Sequence, residues 1–160
     1  MTIKVGDKLP DATFTTMTAE GPRPMTTAEV FGGKKVALFA VPGAFTPTCS
    51  AKHLPGFVNN FDSLKQKGID RIVCVSVNDV FVMSAWAKDQ KVGDKVLLLA
   101  DGNGVFAKAL GLELDAKGFG MGTRSQRYSM IVDNGVVKQL NVEAGGEFKV
   151  SAAEHMLGQL

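Results

Sequence analysis

The chain has 160 residues, of which 45% are hydrophobic and 21% charged, and its net charge is +2. That length fits a single domain over residues 1–160, and that balance excludes a disordered, solvating chain. The basic residues are scattered with no Lys/Arg block, so a nucleic-acid or membrane-surface role has no electrostatic support.

The opening residues, Met1 to Asp7, hold no apolar core of signal-peptide length. The longest apolar stretch, Val36 to Phe45, is broken by Pro42 and Gly43 and is about half of a membrane span. A soluble cytoplasmic protein is therefore expected. The first thirty residues, with Pro10, Gly21, Pro22 and Pro24, read as loops and short strands. Val36 to Val41 is a continuous apolar run between Gly32-Gly33 and Pro42-Gly43, the pattern of a strand buried on both faces. Leu54, Phe57, Val58, Phe61 and Leu64 then recur at helical spacing, with Pro55 expected to kink the helix and Gly68 to end it. Ile69 to Val77 is a second buried strand. Asn78-Asp79 can cap a helix from Val80 to Gln90.

Val96 to Ala100 reads as a third strand, and Gly102-Asn103-Gly104 turns into a short helix, Val105 to Leu110. The same glycines fit G-x-G-x-x-A, but no buried strand with an acidic end follows at the spacing a dinucleotide site needs. Gly111 to Ser125 is glycine-rich and irregular. Arg127 to Asp133 and Val136 to Val142 form a hairpin around Asn134-Gly135. Ser151-Ala152-Ala153-Glu154 has the form of a capping box on a last helix. The order implies an α/β protein, a central mixed β-sheet flanked by helices, and a thioredoxin-like fold suits it.

Two cysteines and two histidines are too few for a closed zinc site. Cys49 follows a buried strand and a Thr-Pro-Thr segment, in the first turn of the long helix. Free backbone N–H groups and the helix dipole favour a thiolate there. The opposing interpretation is a buried structural cysteine. Cys74, inside Ile72-Val73-Cys74-Val75, reads as inert core. His53 lies one helical turn after Cys49 and invites a Cys–His hydrolase assignment, but no third orienting residue is evident. His155 reads as a surface residue. Cys-x-x-Cys is absent, which argues against a thiol–disulfide reductase; a non-catalytic binding protein on the same fold would leave Cys49 unreactive.

Pro42-Gly43-Ala44-Phe45-Thr46-Pro47-Thr48-Cys49 resembles the peroxiredoxin motif P-x-x-x-T/S-x-x-C. The continuation Ser50 to Gly56 is similar to the type II, or peroxiredoxin-5-like, group. So are Val5 to Pro10, Val77 to Phe81, Arg127-Tyr128-Ser129-Met130 and Asp133-Asn134-Gly135. The resemblance implies a thiol peroxidase that reduces hydrogen peroxide and organic hydroperoxides to water and alcohols, in antioxidant defence and redox homeostasis. Cys49 would be the nucleophile, passing through a sulfenic acid. Thr46 would hydrogen-bond the thiolate and the peroxide, Arg127 would stabilise the anion, and Pro42 would shield the sulfur. The residues alone leave Arg124 and Arg127 undecided; the family pattern favours Arg127. Cys74 follows Cys49 by 25 residues, the place of a second, resolving cysteine in many type II members. The resemblance also implies a homodimer and no cofactor. Glutathione with glutaredoxin, or thioredoxin, would be the reductant, with a Cys49–Cys74 disulfide as the alternative route.

Overall fold

The computed structural model describes residues 2–160. The elements run β1 Thr13–Thr18, β2 Gly21–Thr26, α1 Thr27–Phe31, β3 Lys35–Val41, a π-helical turn Cys49–His53, α2 Leu54–Asn59 and α3 Phe61–Gln66. They continue with β4 Arg71–Ser76, α4 Val80–Asp89, β5 Leu97–Ala100, α5 Val105–Leu110, β6 Glu113–Asp115, a 3₁₀ turn Lys117–Phe119 and β7 Thr123–Ser125. β8 Tyr128–Asp133, β9 Val136–Val142 and α6 Ala153–Gln159 complete the chain. Seven strands form one mixed sheet in the order β2-β1-β5-β4-β3-β8-β9, and β6 and β7 form a separate ribbon. β3, β4 and β5 are parallel; β8 joins β3 antiparallel.

Side chains alternate across the sheet, and both faces are covered. Ala37, Phe39, Val41, Ile72 and Cys74 point to the face packed by Leu54, Phe57, Leu64, Met83, Trp86 and Met156. Val36, Leu38, Ala40, Val73 and Val75 point to the other, against Val30, Phe31, Phe106 and Leu110. This double burial is why β3 and β4 read as unbroken apolar runs. The expected thioredoxin-like architecture is the one found.

Four local expectations change, one of them at Gly111 to Ser125, where β6 and β7 pair as an antiparallel ribbon around the 3₁₀ turn instead of running irregularly. The first thirty residues hold a regular hairpin, β1 with β2. β2 accommodates Pro22 and Pro24 because it is the sheet edge, where a missing N–H costs no ladder bond. The helix after Cys49 is not simply kinked at Pro55. Helical bonding starts at Pro47, widens into the π turn in which the Leu54 N–H reaches Cys49 C=O, and breaks again at Asn60. Proline lacks the N–H and crowds the carbonyl four residues back, and the wide turn just before Pro55 relieves both. The capping box at Ser151 is not made. Ala152 stands at the N-cap without a side-chain bond, and the Ser151 hydroxyl is committed to Glu143. A capping box does exist on α1, where Thr26 and Glu29 bond reciprocally.

Candidate active site

β3 delivers the chain to Pro42, and the loop 42–46 folds back into the helix that carries Cys49. Thr46 donates its hydroxyl to Gly43 C=O at 2.6 Å. The Ala44 N–H donates to Asn78 Oδ1, which also accepts from Ser76 Oγ. This bonding holds Phe45 at φ 65°, a left-handed conformation that bulky residues rarely adopt. Gly43 is closely packed: a Cβ there would lie 3.1 Å from Thr46 Cγ2 and 3.2 Å from Met121 Cε, so both side chains would have to give way. Pro42 sits half-buried directly after β3.

Cys49 is a free thiol with no solvent exposure. Arg127, at the entrance to β8, donates from Nη2 to Cys49 Sγ at 3.0 Å and from Nη1 to His53 Nδ1 at 2.7 Å. A guanidinium cannot accept a hydrogen bond, so His53 Nδ1 is the acceptor and its proton is on Nε2. That Nε2–H donates to Ser151 C=O at 3.0 Å. The imidazole is fully buried among Phe39, Phe57 and Phe148, with ring centroids 4.8, 5.8 and 5.0 Å away. Burial, and secondarily the Arg127 cation, hold its pKa down to about 3, against the opposing effects of the Ser151 carbonyl and Glu143. His53 is therefore a neutral buttress for Arg127, not the base of a hydrolase. Phe148 also lies under the guanidinium, 5.8 Å from ring centre to Cζ.

Arg124 has a different task. It donates from Nε to Met121 C=O at 2.8 Å and from Nη1 to Val77 C=O at 3.1 Å. It is neither a solvated loop charge nor a ligand of the sulfur; it ties two loops together beside Gly43. Cys74 is in the core layer that also holds Cys49. Burial pushes its thiol up, with Cys49 adding to the effect and Arg127 opposing it. The G-x-G-x-x-A segment is a turn, as expected. The Asp101 carboxylate accepts the Phe106 and Ala107 N–H groups, so the start of α5 is already occupied. Phe148 and Glu143 received no role from the sequence, Ser151 only that of a helix cap, and His53 only the rejected one of a hydrolase base. The contacts that tie His53 to Arg127 and Ser151 span 74 and 98 residues, for which no local pattern exists.

A cysteine at a helix start, held by an arginine from a distant strand, agrees with what the chain is similar to. The family model described as Redoxin matches residues 4–157. Peroxiredoxin-2E, chloroplastic, of Arabidopsis thaliana is 54% identical, over 99% of this chain and 69% of its own length. This chain is a peroxiredoxin. Reduced Prx3 from Vibrio vulnificus, solved in complex with hydrogen peroxide, is 57% identical with a TM-score of 0.95, covering 98% of each chain. Peroxiredoxin 5 from Alvinella pompejana is 35% identical with a TM-score of 0.85, covering 97% of this chain and 96% of its own. The peroxiredoxin thus belongs with the type II, peroxiredoxin-5-like group, and its activity is that of a thiol peroxidase.

Proposed function

We propose that Cys49 is the peroxidatic nucleophile and that a small thiol or thiol protein restores it. The thiolate attacks the nearer peroxide oxygen. The Sγ–O bond forms, the O–O bond breaks, and the second oxygen leaves as water or an alcohol once it takes a proton. The sulfur loses two electrons and becomes a sulfenic acid. The 3.0 Å contact from Arg127 Nη2 to Cys49 Sγ carries this reading. It supplies a charge-assisted donor at the atom where charge shifts during displacement. The Thr46 hydroxyl proton is committed to Gly43, so its oxygen is left to accept the peroxide O–H. The Thr48 and Cys49 N–H groups, in the first helical turn, are donors for the oxygen that departs. Pro42, at the end of β3, would shield the sulfur from water.

The surroundings of Cys74 support an external reductant rather than an internal disulfide. It lies in the middle of β4, paired with Phe39 and Leu98, so moving it would break ladder bonds on both sides. An incoming thiol, glutathione with glutaredoxin or thioredoxin, condenses with the sulfenic acid, forming a disulfide and releasing water. No cofactor takes part. The cytoplasm, with its reduced glutathione pool, suits that second substrate. Phe45, 51% exposed in the loop before Cys49, and Phe81, 66% exposed in the first turn of α4, lie on segments joined through Ala44 and Asn78. They favour a homodimer that covers this apolar rim.

The test mixes the reduced protein with hydrogen peroxide, then with glutathione and glutaredoxin, and follows intact mass. Wild type should gain one oxygen on Cys49 and then one glutathione. Cys49→Ser should do neither while keeping its fold, and Cys74→Ser should retain substantial turnover. Peroxide consumption by folded Cys49→Ser at the wild-type rate would sink the assignment. A Cys49–Cys74 bridge in the wild type, with Cys74→Ser stalling after one turnover, would establish the two-cysteine route instead.

A further inference from the structure

Glu143 follows β9 directly and is only 7% exposed. No cation forms an ion pair with it among the described residues. A buried carboxylate is costly unless hydrogen bonds compensate it. Here they come from one segment. Glu143 Oε2 accepts from the Lys149 N–H at 2.7 Å, the Ser151 N–H at 2.8 Å and the Ser151 hydroxyl at 2.6 Å. Burial alone would raise this carboxyl, but these bonds hold it below the usual carboxylate range. The segment between them contains Gly145 and Gly146 and is exposed from Ala144 to Glu147, so it has little packing of its own.

That segment brings two groups to the arginine. Ser151 C=O receives the His53 Nε2–H, and Phe148 underlies the guanidinium. The Glu143 N–H in turn donates to Arg127 C=O at 2.9 Å. The bonds therefore close a ring: Glu143 carboxylate, Ser151, His53, Arg127 side chain, Arg127 backbone and back to Glu143. One end of the ring fixes where Arg127 starts and the other fixes where its guanidinium points.

We infer that Glu143 is a positioning residue for the Cys49–Arg127 pair, acting through Ser151, His53 and Phe148. Its consequence for peroxide reduction rests on the peroxidase function given above. Removing the carboxylate's charge frees the 144–152 segment. His53 then loses its fixed acceptor, and the guanidinium is no longer held against the sulfur. Small misplacements of a catalytic donor are expensive in rate.

The experiment uses the full chain as Glu143→Gln and Ser151→Ala, each alone and in an Arg127→Ala background. The second-order rate of oxidation by hydrogen peroxide is followed by Trp86 emission, and the rate of Cys49 alkylation by iodoacetamide is measured in parallel. Circular dichroism checks the fold. Glu143→Gln should slow peroxide oxidation about tenfold. Ser151→Ala, which removes only the hydroxyl bond, should slow it less. Neither should slow the Arg127→Ala protein further, because the residue they act through is gone. An unchanged rate in both single variants overturns the inference. The same fractional loss with and without Arg127 also overturns it, since that is the mark of a general structural role. If Glu143→Gln fails to fold, Ser151→Ala decides by the same comparison. If the wild type is not oxidised by peroxide at all, the peroxidase function fails, and the alkylation rates decide Glu143 separately.

Discussion

Cys49 and Cys74 have the same exposure, none, and they share one core layer. Burial therefore does not distinguish the two thiols here; a hydrogen-bond partner does. Arg127 reaches Cys49 Sγ, whereas no hydrogen-bond donor lies on the Cys74 sulfur among the described residues. The two candidate arginines divide in the same way. Arg127 binds sulfur and imidazole, and Arg124 binds the carbonyls of Met121 and Val77. Arg127→Ala is expected to lower the second-order rate with peroxide by about a hundredfold, the scale of losing one preorganised donor at a reacting centre. Arg124→Ala is expected to cost clearly less in rate and to show its effect in thermal stability. Stopped-flow kinetics on both variants measures the difference, and equal losses would mean that the loop tie and the sulfur contact act as one unit. Pro42, Thr46 and Cys49 were readable as candidates because they lie within eight consecutive residues of one motif, whereas the choice of Arg127 over Arg124 came only from the resemblance to the family. His53 was visible only as a residue one turn from Cys49. Its neighbour Ser151 is 98 residues away, and nothing in the local pattern connects them.

At the level of elements, the strands were legible wherever the sheet is buried on both faces, as in β3 and β4, and wherever a turn demands a special backbone. Asn134 and Gly135 take φ 47° and 79°, as the Asn-Gly pair between β8 and β9 predicts. Elements of three residues, such as β6 and β7, carry too little pattern to be read. The helix start around Cys49 has a property that sequence spacing alone did not indicate. Trp86, fully buried on α4, donates its indole N–H to Ser50 Oγ at 3.0 Å, one residue from the thiol. A thiol as bulky as glutathione, unlike a small peroxide, needs the turn 47–53 to open before it can reach the buried Cys49 sulfur. Opening that turn withdraws Ser50 from Trp86. The terminal turn is the cheapest part of the helix to open, because its first N–H groups have no helical partner and its π turn is already irregular. Forming a mixed disulfide between Cys49 and glutathione should therefore change Trp86 emission and speed amide exchange over residues 48–54. Emission and exchange both unchanged in the glutathionylated protein would mean that the thiol enters without unwinding. Ser50→Ala should alter the starting emission and reduce the change.

Across the whole molecule, the mixed sheet is what allows a strand near the C-terminus to serve a cysteine near position 50. β8 inserts antiparallel beside β3, so Arg127 arrives at the carboxyl end of the parallel strands, where Pro42 leaves β3. The cost of this arrangement is a buried histidine that must stay neutral, and it has a signature in acid. The His53 pKa falls from 6.5 in an unfolded chain to about 3 in the fold. Between those values the unfolded chain holds a proton that the native protein does not. Stability then rises with pH across that window and is lost as pH falls through it. One proton gives a slope of up to about 1.4 kcal/mol per pH unit. Glu143 acts in the same direction but lower down. Its folded pKa is depressed below 4.5, so its contribution is complete above that value and fades only as pH falls below it. Urea unfolding midpoints measured from pH 7.5 to 4 should accordingly begin to decline near pH 6.5, above the range in which Glu143 loses its contribution. His53→Gln should be less stable at neutral pH, because it loses the Arg127 contact and the aromatic packing. Its midpoint should nevertheless be flatter between pH 6.5 and 5, because the buried imidazole that must stay neutral is gone. An equally steep decline in His53→Gln over that interval would show that the acid sensitivity has a different origin, and that His53 is not the group held neutral to support Arg127.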